Sequence, residues 1–274
     1  MSVSFGMGLK EIFDEDYWDG EATTFKLPCS WSRFSDLDLY SELDKWIKIL
    51  FAHSKDLSLF EIGCAPGRYL AFFGKRYGCK LYGIDKSEVG VEATRKNLEL
   101  QGLTGKIESG DFFHDVPELR GMKFDITMSH GFVEHFDDLR GVMAKIHRCT
   151  QPGGLIVTTA PNFNGLSGSI AKRITPDVYA SHRKFTPSQL AAVQTELGAR
   201  ILFRGYTGHY HIRQPFRAKT RFKKEHQIFS TMINFPFLIF KGCFFVSWIF
   251  LRRILPPNRI LSKRVSSIAL KQQS

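Results

Sequence analysis

The sequence predicts an α/β fold in which an open, mostly parallel sheet lies between two layers of helices. Strand-length apolar runs alternate with helical patterns along residues 57–198, the order that builds parallel sheets through crossover helices. The first run, Leu57-Ser-Leu-Phe-Glu-Ile62, ends in the small-residue turn Gly63-Cys-Ala-Pro-Gly67 just before a helical pattern. A strand that enters a helix through such a turn can deliver a ligand to the helix N-terminus, because glycines let the backbone approach it closely. Finally, the breaker cluster Gln151-Pro-Gly-Gly154 punctuates the series before a fifth apolar run.

Taken in order, residues 1–34 are rich in aromatic and acidic side chains and show no clear period; Tyr17-Trp18-Asp19-Gly20 within them is expected to cover a ligand pocket. From Ser35, Leu39, Leu43, Trp46, Ile47 and Leu50 recur at helical spacing. The strand at 57–62 is followed by a helix over Tyr69–Tyr77, a strand over Lys80–Asp85 and a helix over Glu88–Leu100 that Gly102 closes. Further strands are expected at Lys106–Asp111, Phe124–Ser129 and Leu155–Ala160, with a helix over Asp138–Cys149. Residues 161–185 read as irregular. Thr186-Pro-Ser-Gln189 has the signature of a helix start, with Thr186 as N-cap and Gln189 completing a capping box. Strands over Ala199–Tyr206 and Val265–Lys271 close the chain.

Asp85 stands where a strand of a parallel sheet ends at the ligand crevice, and a carboxylate there can accept both hydroxyl hydrogens of a ribose. A dinucleotide fingerprint is disfavoured, because its third glycine, needed for close packing, would fall at Arg68.

Five features resemble, in order, the motifs of class I S-adenosylmethionine (SAM)-dependent methyltransferases of the small-molecule type. They are Glu61-Ile-Gly-Cys-Ala-Pro-Gly67, Asp85-Lys86, Asp111-Phe112, Ser129-His130 leading to His135, and Pro152-Gly-Gly154. Ala65 replaces the middle glycine of the first motif. The resemblance implies a Rossmann-like three-layer sandwich with a seven-stranded sheet whose last strand runs antiparallel between its neighbours. It implies SAM as cofactor and S-adenosyl-L-homocysteine as product. Cofactor-binding roles pass to Glu61, Gly63, Cys64, Ala65, Gly67, Asp85, Lys86, Asp111, Phe112, Ser129 and His130. Asp111 is implied to meet the adenine amino group, with Phe112 against the base. Because the cofactor supplies the electrophile, the chain needs no universal catalytic residue. His130, His135 and His182 are candidates for which no catalytic role is assigned.

The chain's 43% hydrophobic and 24% charged residues suit a globular domain with a full core. Its five cysteines are scattered without a CxxC pair, which speaks against a disulfide framework or zinc ribbon and for a reducing compartment. No basic-then-apolar signal pattern stands at residues 1–11, so a cytoplasmic location is expected. The net charge of +11 is uneven: residues 201–274 hold fourteen Lys or Arg and one acid, Glu225, giving +13 against −2 for the first 200. An anionic partner, membrane or nucleic acid, is the implied consequence.

Three regions follow: a cover segment at 1–34, a methyltransferase domain at 35–206 and 265–274, and a basic and apolar insertion at 207–264. His209-Tyr-His211 in the insertion lacks a third ligand at local spacing, so no metal site is expected. From Phe235 to Leu255 the only ionic residues are Lys241, Arg252 and Arg253; Asn234 can cap this stretch and Pro236 suits a first helical turn. A helix of about twenty residues spans roughly 30 Å. Since the strands flanking it must share one sheet, it is expected to lie in a membrane interface, with residues 213–255 meeting anionic headgroups, rather than to cross the bilayer. A buried or subunit-facing helix is the alternative.

The function expected is transfer of a methyl group from SAM to a lipid, quinone-like or lipid-linked sugar acceptor by a peripherally membrane-bound enzyme, with the oligomeric state left open. A nucleic-acid methyltransferase is the first alternative, although the Phe-rich, nearly uncharged stretch makes a poor phosphate track. A non-catalytic partner protein of the same fold is the second.

Overall fold

The computed structural model describes residues 15–31, 36–54, 56–114, 116–209, 257–260 and 262–272. Helices α1 (Glu15–Ala22) and α2 (Leu37–Leu50) precede strand β1 (Ser58–Ile62). Then follow α3 (Arg68–Tyr77), β2 (Lys80–Asp85), α4 (Glu88–Glu99), β3 (Gly105–Ser109), β4 (Phe124–His130) and α5 (Leu139–Cys149). The chain continues through β5 (Thr150–Pro161), α6 (Leu166–Ile174), α7 (Pro176–Ser181), α8 (Pro187–Glu196), β6 (Ala199–His209) and β7 (Ser262–Lys271).

The seven strands form one sheet in the order β3-β2-β1-β4-β5-β7-β6. All neighbours are parallel except β7, which runs antiparallel to both β5 and β6. This is the Rossmann-like methyltransferase topology that the motifs implied. The central strands are apolar on both sides because helices cover both faces. On β1, Leu59 joins the core beneath α2, α3 and α4, with Leu43, Leu70, Phe73 and Leu98. Phe60 and Ile62 face the opposite core with Ile146 of α5 and Leu190 of α8. β5 divides likewise, Leu155 and Val157 to the first layer and Ile156 and Ala160 to the second.

Most differences from the sequence expectation have local causes. Residues 161–185 contain α6 and α7 rather than irregular chain. Gly165, Ser167, Gly168 and Ser169 blur any helical period there, and tertiary bonds compensate: the buried Asn162 amide donates to the Arg259 and Ser262 carbonyls, each at 2.8 Å. β5 starts at Thr150, taking the Pro-Gly-Gly cluster into the strand through a register shift opposite Phe124–Ile126. A Cβ on Gly154 would lie 2.8 Å from the Asp125 carbonyl, so only glycine fits. β3 stops at Ser109, leaving Asp111 in the turn beyond it. The segment read as aperiodic near Trp18 is helical, as α1.

Arg68 does not occupy a packing position. It is exposed, and the close approach of α3 to α4 falls on Gly67, at φ +74°, whose added Cβ would lie 2.7 Å from the Thr94 methyl. The size of Arg68 therefore does not by itself exclude a dinucleotide from this turn. α8 begins with the expected capping box, Thr186 and Gln189 bonding reciprocally. Among the described residues no helix is long and apolar enough to cross a membrane. The expected interfacial helix at 235–255 and the His209–His211 pair as a unit lie outside the described residues.

Candidate cofactor site

The strand order reverses between β1 and β4, and the carboxyl ends of the parallel strands open there into a crevice, the usual ligand position in such sheets. A cavity of about 620 Å³ occupies it, within the ~300–1,000 Å³ typical of small-molecule sites. Glu61 of β1, the loop Gly63–Pro66, Asp85 and Lys86 after β2, Asp111 and Phe112 after β3, and His130 at the end of β4 all line it.

The loop is fixed by main-chain bonds and one carboxylate. Gly63 and Cys64 N–H both donate to the Ile84 carbonyl, at 2.9 and 3.2 Å. Asp85 Oδ2 accepts from Ala65 N–H at 2.9 Å, and Oδ1 accepts from Ser87 N–H at 3.1 Å. Asp85 thus holds the turn, and each of its oxygens keeps a second lone pair for a ligand hydroxyl. Burial raises its pKa while these backbone donors pull it down. Gly63 sits at φ +68°, and a Cβ there would press on Phe132 at 3.3 Å.

Glu61 is buried, with its pKa pushed well up by desolvation against the Leu70 N–H that it accepts. Its Oε2 has no hydrogen-bond partner, so the cavity wall presents an acceptor for a ligand donor. Asp111 accepts from Phe113 N–H at 2.8 Å and lies 3.0 Å from His114 Nδ1. Phe112 packs on Phe60 and edge-on against Phe132, giving the crevice an aromatic wall. His130 is bound by the Tyr69 hydroxyl at 3.0 Å and by Thr159 Oγ1 at 2.5 Å. Burial first, then Arg264, holds its imidazole neutral.

Three expected residues stand differently, the first being Gly67, which is buried against Thr94 and is not part of the cavity wall. Ser129 is buried between Ile62 of β1 and Thr158 of β5 and is not part of the cavity wall. The Cys64 thiol points into the core, where a Cβ on Gly83 would lie 2.8 Å from its sulfur; only the rest of the residue can line the loop. Burial pushes that thiol well up, as suits a packing role.

Other wall residues escaped the sequence reading. Lys263 and Arg264 enter from β7, and Trp31 from the stretch before α2. Arg264 is ion-paired with Asp36, whose side chain is fully buried. Lys263 is pushed down to about 8 by burial and by Arg264. Their sequence signal was only a Lys-Arg pair entering the last strand. Trp18 of α1, singled out as a cover, lines the cavity, and Asp19 beside it bonds the Ser87 hydroxyl. Trp18 also packs edge-on against His135 at 5.4 Å. Burial drives the His135 imidazole down to about 3 and the Glu134 carboxyl up to about 8.

The donor set fits SAM. Acidic side chains end β1 and β2 and follow β3, matching a ligand rich in hydroxyl and amino donors, and the glycine turn leaves room beside them. Comparison with known proteins agrees. Residues 60–158 match the family model described as "Methyltransferase domain". A ubiquinone biosynthesis O-methyltransferase of Rhodopseudomonas palustris is 29% identical over 115 residues, which are 42% of this chain and 44% of that protein. The chain therefore spans less than half the length of this curated relative. Magnesium protoporphyrin IX methyltransferase from Synechocystis PCC 6803 with bound SAH superposes with TM-score 0.51 at 14% identity, over 85% of this chain and 83% of the other. A [4+2]-cyclase shares the fold with TM-score 0.54 at 16% identity, over 85% and 81%. The strand order and the glycine turn at 63–67 give this chain a Rossmann-like methyltransferase fold, and its residues 60–158 are similar to the methyltransferase domain family.

Proposed function

We propose that the chain transfers a methyl group from SAM to an oxygen, nitrogen or carbon of a small lipid-like acceptor, quinone-like or a lipid-linked sugar, at a membrane surface. The observation that carries this reading is the crevice at the β1–β4 reversal, where Glu61, Asp85 and Asp111 surround a glycine turn. SAM supplies the activated methyl group; the chain's residues bind, orient and exclude water. Glu61, Asp85 and Asp111 offer acceptors along one wall, and Lys263 and Arg264 give the opposite character near β7. Trp18, Phe25, Trp31 and Phe132 make the remaining wall aromatic, which suits a planar or apolar acceptor. The quinone-related O-methyltransferase among the relatives is consistent with that acceptor class.

The membrane setting rests on sequence and connection. His209 pairs with Ser262 in the β6–β7 ladder, so residues 210–261 leave and rejoin the sheet at adjacent points. The neighbouring Arg264 lines the cavity, so this insertion is rooted beside it. The test is incubation with methyl-labelled SAM and either a membrane lipid extract or total RNA. Label is expected in the lipid fraction; label in RNA, or in neither, would overturn the assignment.

A further inference from the structure

We propose that Glu134, His135 and His182 form a site for one divalent transition-metal ion beside the cavity. Glu134 and His135 stand in the short turn Val133–His135 after β4, and His182 follows α7. The Arg183 N–H donates to the Glu134 carbonyl at 2.7 Å and ties the two segments together. One ligand atom from each of the three side chains lies within 4.8 Å of the others. Zinc–nitrogen and zinc–oxygen bonds of 2.0–2.2 Å set tetrahedral ligand atoms about 3.4 Å apart, so small side-chain rotations close the set.

Two independent features point to a ligand. Glu134 is 1% exposed, and its Oε2 has no hydrogen-bond partner, a costly state for a buried carboxyl that a cation would relieve. Oε1 lies 4.0 Å from His135 Nε2, so carboxyl and imidazole already face one another. In addition, each imidazole is bonded to a main-chain carbonyl. His182 Nδ1 lies 2.7 Å from the Val178 oxygen, and His135 bonds the Gly131 carbonyl. Metal-ligating histidines are oriented by such second bonds. Trp18 packs edge-on against His135, and Phe163 against His182 at 4.9 Å, which holds the two rings in place.

Two imidazoles and a carboxylate suit Zn²⁺, Mn²⁺ or Fe²⁺ rather than Ca²⁺, and three protein ligands leave positions open. His135 and the neighbouring Ser181 line the cavity, so an open position is accessible to an acceptor oxygen. That role toward the acceptor rests on the methyl-transfer reading; the metal site itself does not.

The experiment titrates chelator-treated full-length protein with Zn²⁺ by calorimetry and with Co²⁺ by visible absorption. Wild type is expected to bind one equivalent with visible Co²⁺ bands. Glu134→Gln and His182→Ala should each weaken binding about tenfold or more, whereas a His209→Ala/His211→Ala double variant should bind as wild type does. Wild-type affinity in Glu134→Gln and His182→Ala, or loss in the double variant alone, overturns the site. Should both cluster variants fail to fold, wild type decides: a Co²⁺ spectrum and a Zn²⁺-dependent rise in Tm support it, and the absence of both overturns it. Stoichiometric Zn²⁺ binding without label transfer would leave the metal site standing and remove the methyltransferase reading.

Discussion

At the scale of single residues, Asp85 does two things at once. It ties down the glycine turn through Ala65 and Ser87 and stays at the cavity wall. Asp85→Ala is therefore expected to weaken SAM binding by on the order of 1.5–3 kcal/mol, the worth of a charged hydrogen-bond partner. Calorimetry showing unchanged affinity would remove Asp85 from the site. Lys263 offers a pH signature. Folded, its ammonium loses the proton at about 8, whereas its ordinary value is 10.5. Between those values the unfolded chain binds more protons, so this group's contribution makes stability rise with pH across the window and fall as pH drops to 8. Lys263→Met should be more stable than wild type at pH 7, with the advantage shrinking from pH 8 to 10.5. A gap in Tm that stays constant with pH would show that Lys263 is not held in a neutralising environment. The readable part of the site was its acidic residues at strand ends, because chain order places them at one sheet edge. Lys263, Arg264 and Trp31 were unreadable, since only the antiparallel return of β7 and the packing of the stretch before α2 bring them to that edge.

At the scale of elements, capping chemistry and two-sided burial were the dependable signals. α8 was located by Thr186, Pro187 and Gln189, and its capping box is formed in full. Thr186→Ala should cost about 1 kcal/mol and lower Tm by roughly 2–4 °C, with SAM affinity unaltered because Thr186 is not part of the cavity wall. A Tm equal to wild type would mean that α8 draws its stability entirely from Leu190 and Ala191 in the core. α6 and α7 went unread for the converse reason: Gly165, Ser167, Gly168 and Ser169 blur the period, and the entry to α6 is held by bonds from Asn162 and Leu166 to residues about a hundred positions away in sequence. The Pro-Gly-Gly cluster was read as a break and is instead a strand irregularity. Gly154 is demanded by the nearby Asp125 carbonyl and Gly153 by its φ of +79°, neither of which chain order reveals.

At the scale of the whole molecule, the first 200 residues carry −2 and residues 201–274 carry +13, and the β6–β7 pairing limits how the proposed interfacial stretch within them would meet a bilayer. Because His209 and Ser262 are register partners, the chain leaves and returns on one side of the sheet, which is incompatible with a single crossing by residues 235–255. The proposed interfacial arrangement is compatible with both the connection and the composition, with Phe244, Phe245 and Trp248 expected to supply apolar contact and the Lys and Arg residues between 213 and 224 attraction. The chain is accordingly expected to co-sediment with anionic liposomes, less so as salt rises, because screening shortens the reach of surface charge to about 10 Å at 0.1 M. Replacing Phe244, Phe245 and Trp248 with serine should abolish sedimentation and leave SAM affinity intact, since the cofactor wall is built from β1 to β4 and β7. If that variant instead unfolds or loses SAM while wild type ignores liposomes, the segment packs against the enzyme or a second copy, and the acceptor must reach the cavity from solution.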